Sequence, residues 1–112
     1  MLSNKEKIDK ITLHGEENIL FALKRMDVLE RKLLIILQGK RFKGLISIGD
    51  LQRAIIRDLP MDTKVTELIR EDIKVAKIGD SREKIKAEMI SERIECMPVV
   101  DLKNNLVDVI FW

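Results

Sequence analysis

The sequence predicts an α+β fold in which one small unit, ordered strand, helix, strand, strand, helix, is used twice, the second time without its closing helix. The stretches KRMDVLERKLLIILQGKRFKGLIS and AEMISERIECMPVVDLKNNLVDVIFW follow one plan, the mark of an internal repeat. Met26 matches Met89 and Ile35 matches Pro98 at an offset of 63, whereas Gly44 matches Asp108 at 64, so the second copy carries one extra turn residue. Within each copy, apolar runs of strand length alternate with segments of helical period.

The elements follow in order. ITL is a short strand. EENILFALKRM sets Ile19, Leu20, Leu23 and Met26 on one helical face, with Glu16 and Glu17 at the positive end of the helix dipole. LLIIL and FKGLISI, joined by the turn QGKR, form an antiparallel hairpin. GDLQRAIIRDL is the second helix, with Asp50 as N-cap, Leu51, Ala54 and Ile55 inward, and Pro60 forbidding continuation. In the second copy IKVAKI is the strand, and GDSREKIKAEMI is the helix, capped by Asp80 or Ser81 with Ile85 and Met89 inward. MPVVD and LVDVIFW are its hairpin. The first unit takes residues 1–62, including an N-terminal extension; residues 63–72 are a linker, and residues 73–112 are the shortened second unit.

The last residues, Val109, Ile110, Phe111 and Trp112, are apolar where a frayed polar tail is usual. By the repeat, Phe111 and Trp112 correspond to Ser47 and Ile48, so the expectation is a chain cut from a longer protein, whose next residues supply a helix over this sheet. A natural terminus is the alternative.

Composition narrows the function. The 112 residues hold 21 basic and 19 acidic side chains scattered along the chain, a net charge of +2 that implies no large one-signed face. Aromatic residues are 4% with no Tyr, so there is no stacking platform for single strands, and nucleic acid is not an expected partner. No apolar run is longer than that of Leu33 to Leu37, far short of the roughly 20 residues that span a bilayer, and no secretory signal opens the chain. One Cys forms no internal disulfide, which points to a reducing cytoplasm. One Cys and one His build no zinc site: Cys96 in CMPVV reads as a small buried hydrophobe, and His14 before Gly15 as a turn or capping residue. Neither phosphate-loop nor nucleophile-elbow nor metalloprotease patterns occur, so catalysis within these residues is not expected.

A tandem of such units, with CMPVVD in one copy, GLISIGDL in the other and DTKVTELI between, resembles a pair of CBS domains, the Bateman module, from about Ile11 to Trp112. The resemblance implies a sensor rather than an enzyme, one that takes AMP, ADP, ATP or S-adenosylmethionine as a regulatory ligand between its units, requires no cofactor, and controls a neighbouring domain. It places Ser47 and Asp50, with Gly49 between them and Arg53 one turn on, at the ribose and phosphate, and sets the base against Ile73, Lys74, Ile94 and Glu95. The residue types suit this. A carboxylate accepts from a ribose diol, a hydroxyl and helix N-terminal amides donate to phosphate, and glycine admits close approach. Ser followed by Asp after a strand is equally well explained as a helix cap. In the second half-site Phe111 takes the place of Ser47. The tail LVDVIFW is similar to segments that precede a sugar-phosphate nucleotidyltransferase domain, which makes such a C-terminal catalytic domain the expected partner. Uncovered apolar surface makes a homodimer the expected assembly. A ligand-free dimerisation or structural module is the competing reading.

Overall fold

A computed structural model of the chain describes residues 4–111. Two three-stranded sheets carry the fold, with orders β1-β2-β3 and β4-β5-β6. Helix α1 (Asn4–Asp9) leads into β1 (Thr12–His14), α2 (Ile19–Leu29), β2 (Leu33–Gln38), β3 (Arg41–Ser47) and α3 (Ile48–Ile56). A 3₁₀ turn, Val65–Glu67, precedes β4 (Ala76–Lys77), α4 (Arg82–Glu92), β5 (Cys96–Val100) and β6 (Leu106–Phe111).

The duplication is visible in the strand register. Leu13 sits opposite Ile36 in a parallel pair, and Ala76 sits opposite Val99 in the same way, each residue 63 positions after its counterpart. The antiparallel hairpins pair Leu33 with Ser47 and Cys96 with Phe111, and both break register at matching points, after Ile36 and after Val99. The helix ends repeat too. Asn18 and Ser81 cap α2 and α4, and both helices close on a left-handed residue, Glu30 at φ 54° and Arg93 at φ 56°.

Side chains alternate along each central strand, so each sheet buries both faces. Leu34 and Ile36 turn outward to Ile19, Ala22 and Met26 of α2 and Leu51 and Ala54 of α3. Ile35 turns inward, where it joins Ile11, Phe42, Leu45, Cys96, Leu106 and Val109 in a core shared by the two sheets. Met97 and Val99 turn outward again, to Ile85 and Met89 of α4. The outer face of the first sheet thus carries two helices; among the described residues, that of the second carries α4 and has no counterpart of α3. Ile78 and Ile90 on this side are exposed.

The hairpin tips clasp one another. The Phe42 amide donates to the Asn104 carbonyl at 2.9 Å and the Leu106 amide to the Lys40 carbonyl at 2.9 Å. The Asn104 side-chain amide donates to the Phe42 carbonyl at 3.0 Å. The segment between the units is stitched to the edge of β3: Leu45 and Arg70 exchange main-chain hydrogen bonds of 3.2 and 3.0 Å. Gly44 is what allows this, because a Cβ there would overlap the Arg70 carbonyl. The corresponding edge of the second sheet, β6, lies against α1, with Lys7 Nζ 2.9 Å from Asp108 Oδ1.

Several expectations are corrected. Helix α2 starts at Ile19 rather than Glu16, because the Asn18 carboxamide accepts from the Phe21 amide at 2.9 Å and so sets the cap. Asp50 is not the N-cap of α3. Ser47 is, and Asp50 is the third helical residue. In α4, the helix of the second copy, Ser81 is the cap, while Asp80 accepts from the Lys77 amide. IKVAKI forms ladder pairs only at Ala76 and Lys77. Leu20 and Ile55, expected inward, are 43% and 44% exposed, lying at the margin of the apolar stripe. Helix α1 occupies what the sequence showed only as an extension. Trp112 lies outside the described residues.

Candidate ligand-binding site

At the junction of β3 and α3 the chain turns from extended backbone into a helix, whose first amides have no intrahelical partners; that of Ile48 donates to the Lys32 carbonyl at 2.8 Å. Ser47 and Asp50 resolve this reciprocally as a capping box. The Ser47 hydroxyl accepts from the Asp50 amide at 3.2 Å, and Asp50 Oδ2 accepts from the Ser47 amide at 2.8 Å and its hydroxyl at 2.9 Å. The other carboxylate oxygen, Oδ1, accepts from Arg53 Nη2 at 2.7 Å and from Arg70 Nη2 at 3.1 Å. Each oxygen therefore has two donors, which fills the acceptor capacity of a carboxylate.

Burial alone pushes the Asp50 pKa up; the hydrogen bonds from Ser47, Arg53 and Arg70 outweigh it and hold the carboxyl below its ordinary 3.8. The Asp50 side chain is 12% exposed, whereas Arg53 and Arg70 are 60% and 54% exposed. Two guanidinium groups with spare donors are thus gathered on one ionised carboxylate at a helix N-terminus. Gly49 lies in the first turn, where a Cβ would come within 3.3 Å of Arg53 Nη1, so glycine leaves the space between helix and guanidinium clear.

Ser47, Gly49, Asp50 and Arg53 are therefore brought together as the sequence reading had them. The other four candidates are placed differently. Lys74 is drawn to α4, its ammonium 3.0 Å from Glu92 and 3.6 Å from Glu88. Ile73 packs at the rim of the core between the sheets, and Ile94 against the outer core of the second sheet. Ile94 and Glu95 share a hollow of about 240 Å³ with Met89 and Arg93. Arg70 escaped the sequence reading because it joins Asp50 through the linker laid along β3, a contact with no local pattern.

A larger cleft of about 410 Å³ opens at the ends of the two sheets, lined by Ile11, Arg31, Lys32, Leu33, Glu95, Cys96 and Phe111. Shifted through the repeat, Ser47 becomes Phe111, and Lys32 becomes Glu95, so this is the second half-site of the same pseudo-symmetric arrangement. The Arg31 guanidinium carbon lies 4.7 Å from the centre of the Phe111 ring. Burial pushes the Cys96 thiol up to about 12, with the Arg31 charge opposing it, so the sulfur is a protonated apolar wall. Among the described residues no group of His, Cys, Asp and Glu has the arrangement to hold a metal ion, and no helix is long and apolar enough to cross a membrane.

The sequence matches no protein-family model, and no curated protein matches it. Solved structures do match. A CBS domain protein from Streptococcus pneumoniae is similar with a TM-score of 0.78 at 19% identity, over 89% of this chain and 68% of that one. The CBS domain protein PAE2072 from Pyrobaculum aerophilum, complexed with AMP, gives a TM-score of 0.73 at 19% identity, over 90% and 79%. The CBS domain pair of protein MJ0100, in complex with 5′-methylthioadenosine and S-adenosyl-L-methionine, gives 0.71 at 20% identity, over 90% and 83%. Identities this low speak to architecture alone, and by that measure, together with the repeated register and the core shared between two sheets, the chain has the fold of a tandem CBS pair.

Proposed function

We propose that this CBS pair is a ligand-sensing regulatory module that binds an adenine nucleotide or related adenosine compound at the Ser47–Asp50 junction and reports occupancy to a C-terminal catalytic domain. The observation that carries this reading is the pair of solvent-facing guanidinium groups, Arg53 and Arg70, held on one carboxylate at the start of α3. Exposed ion pairs of this kind are weak, so a ligand phosphate exchanges for the carboxylate at little cost. Oδ1 is then free to accept from a ribose hydroxyl while Oδ2 keeps the helix capped. The ligands in the solved relatives, AMP in one and S-adenosylmethionine in another, support the adenosine class. The likeness of residues 106–112 to segments before sugar-phosphate nucleotidyltransferase domains supports that identity for the controlled domain, and the exposed apolar side chains Val28, Ile55 and Ile56 support a homodimer. A lone thiol supports a reducing, cytoplasmic setting.

Calorimetry with AMP, ADP, ATP and S-adenosylmethionine tests the reading. One of these binds the native chain, and Arg70→Ala weakens the phosphate-bearing ligands by about tenfold through loss of one charged contact. Absence of binding by all four sinks the sensor. The filled acceptor capacity of Asp50 specifically favours the second reading, a ligand-free dimerisation module; that reading gains if all four ligands are silent and sedimentation still shows a dimer.

A further inference from the structure

We infer that the groove of about 760 Å³ between α1 and the two hairpin tips is a separate binding site, for a small amphoteric molecule with an apolar body: an apolar amino acid or a short apolar peptide. It lies at the Arg41 end of β3 rather than the Ser47 end, roughly 20 Å from that junction by the rise of a strand. The groove exists because the two sheet edges are finished differently. The linker closes on β3 as a short strand at Leu45, whereas α1 stands beside β6, and a helix cannot close on a strand edge through main-chain hydrogen bonds. Lys5, Ile8 and Asp9, three and four residues apart on α1, share the face that lines the gap. Its floor is apolar: Ile8, Leu37 and Val107 are half-buried and Leu106 is buried. Its polar groups are of both signs. Lys5 and Lys40 supply ammonium donors and Asp9 a carboxylate, and none of the three has an ion-pair partner among the described residues. Asp101 is turned to its own loop instead, accepting from the amides of Lys103 and Asn105 at 2.8 and 2.9 Å and from the Asn105 side chain at 3.2 Å. The last bond leaves the Asn105 carboxamide oxygen to accept from a ligand. Two donors for a carboxylate, two acceptors for an ammonium and an apolar floor describe a zwitterion, and the balance of charge gives a bare anion or a bare cation no preference. No aromatic side chain lines the groove, so a nucleotide finds no ring to stack on, and the inference does not depend on occupancy of the Ser47–Asp50 junction.

Methyl NMR of Ile8, Leu106 and Val107 reads the test. The probes are leucine, phenylalanine, leucyl-leucine and leucyl-phenylalanine, with isocaproate and isopentylamine standing for leucine stripped of its ammonium and of its carboxylate. At least one of the four zwitterions is expected to shift these methyls, and both stripped analogues to bind more weakly than it does by about threefold or more. Either order of affinity upholds the site, a tighter dipeptide identifying a peptide as the source and a tighter amino acid the free molecule. Asp9→Asn weakens the zwitterion by about threefold to fivefold, as loss of one exposed charged contact does, and leaves isocaproate unchanged; Lys40→Gln weakens zwitterion and isocaproate alike but not isopentylamine. Both side chains are exposed, so the two variants keep the fold. AMP is expected to leave these methyls unmoved, which separates the outcome here from that at the first junction. The inference is overturned if none of the four zwitterions moves the methyls, if either stripped analogue binds as tightly as the best of them, or if Asp9→Asn and Lys40→Gln both bind it as the parent chain does.

Discussion

Asp50 serves two purposes at once, and its protonation separates them. The carboxylate caps α3 and gathers Arg53 and Arg70, and those contacts hold its folded pKa below the ordinary 3.8. A depressed carboxylate contributes stability that is present above its unfolded pKa and lost as pH falls through the lower folded value. Asp50→Asn keeps an acceptor for the Ser47 amide but removes the charge. Urea denaturation between pH 6 and pH 2 is therefore expected to show the parent losing more stability than Asp50→Asn on the acid side of 3.8, whereas Asp50→Ala costs about 1 kcal/mol near neutrality, as loss of a hydrogen-bonded partner of the N-cap does. Equal acid slopes for parent and Asn variant contradict this account. At this scale the sequence showed Ser47 and Asp50 but misassigned the cap, because Ser-x-x-Asp leaves either residue able to start the helix and only backbone torsions decide. Arg70 was illegible: its position follows from where the linker runs, a tertiary fact.

Between elements, the decisive contact is that of the linker with β3. Arg70 bonds to Leu45 as a short added strand, and the approach is close enough that Gly44 admits no side chain. Gly44→Ala is expected to lose about 1–3 kcal/mol, as overpacking does, and to raise hydrogen exchange at Arg70 and Leu45 ahead of the rest of the chain. Unchanged exchange at those two amides refutes the assignment. Most elements were legible where both faces are buried: LLIIL and CMPVV are continuous apolar runs because each strand lies between a helix layer and the opposite sheet. The first strand of the second unit was overestimated, since IKVAKI has the composition of a strand while only two of its residues find ladder partners. Helix α1 has too short and polar a sequence to announce itself; its place comes from the edge of β6 and the ion pair of Lys7 with Asp108.

For the molecule as a whole, the clasp of hairpin tips links the halves at one end. Asn104 holds it with both main chain and side chain at φ 66°, a left-handed conformation that glycine adopts freely and alanine does not. Asn104→Gly is expected to cost about 1 kcal/mol for the lost hydrogen bond, and Asn104→Ala roughly a further 1 kcal/mol for backbone strain. Thermal unfolding of the two variants checks this order, and an alanine variant as stable as the glycine one refutes it. The duplication behind this architecture was readable from offsets alone, because residues on matching faces must keep matching character. The same offsets also showed the asymmetry between the copies, a second unit without its closing helix and Phe111 in the place of Ser47; what they do not convey is the Arg31 guanidinium set over that ring.

The stitch between Leu45 and Arg70 carries one more implication. The guanidinium that greets Asp50 hangs from the very backbone that continues toward the second half, so whatever draws it aside pulls directly on the tether. Were the junction to take a ligand as proposed, this covalent thread would offer a path to the far half that leaves both packed interiors undisturbed.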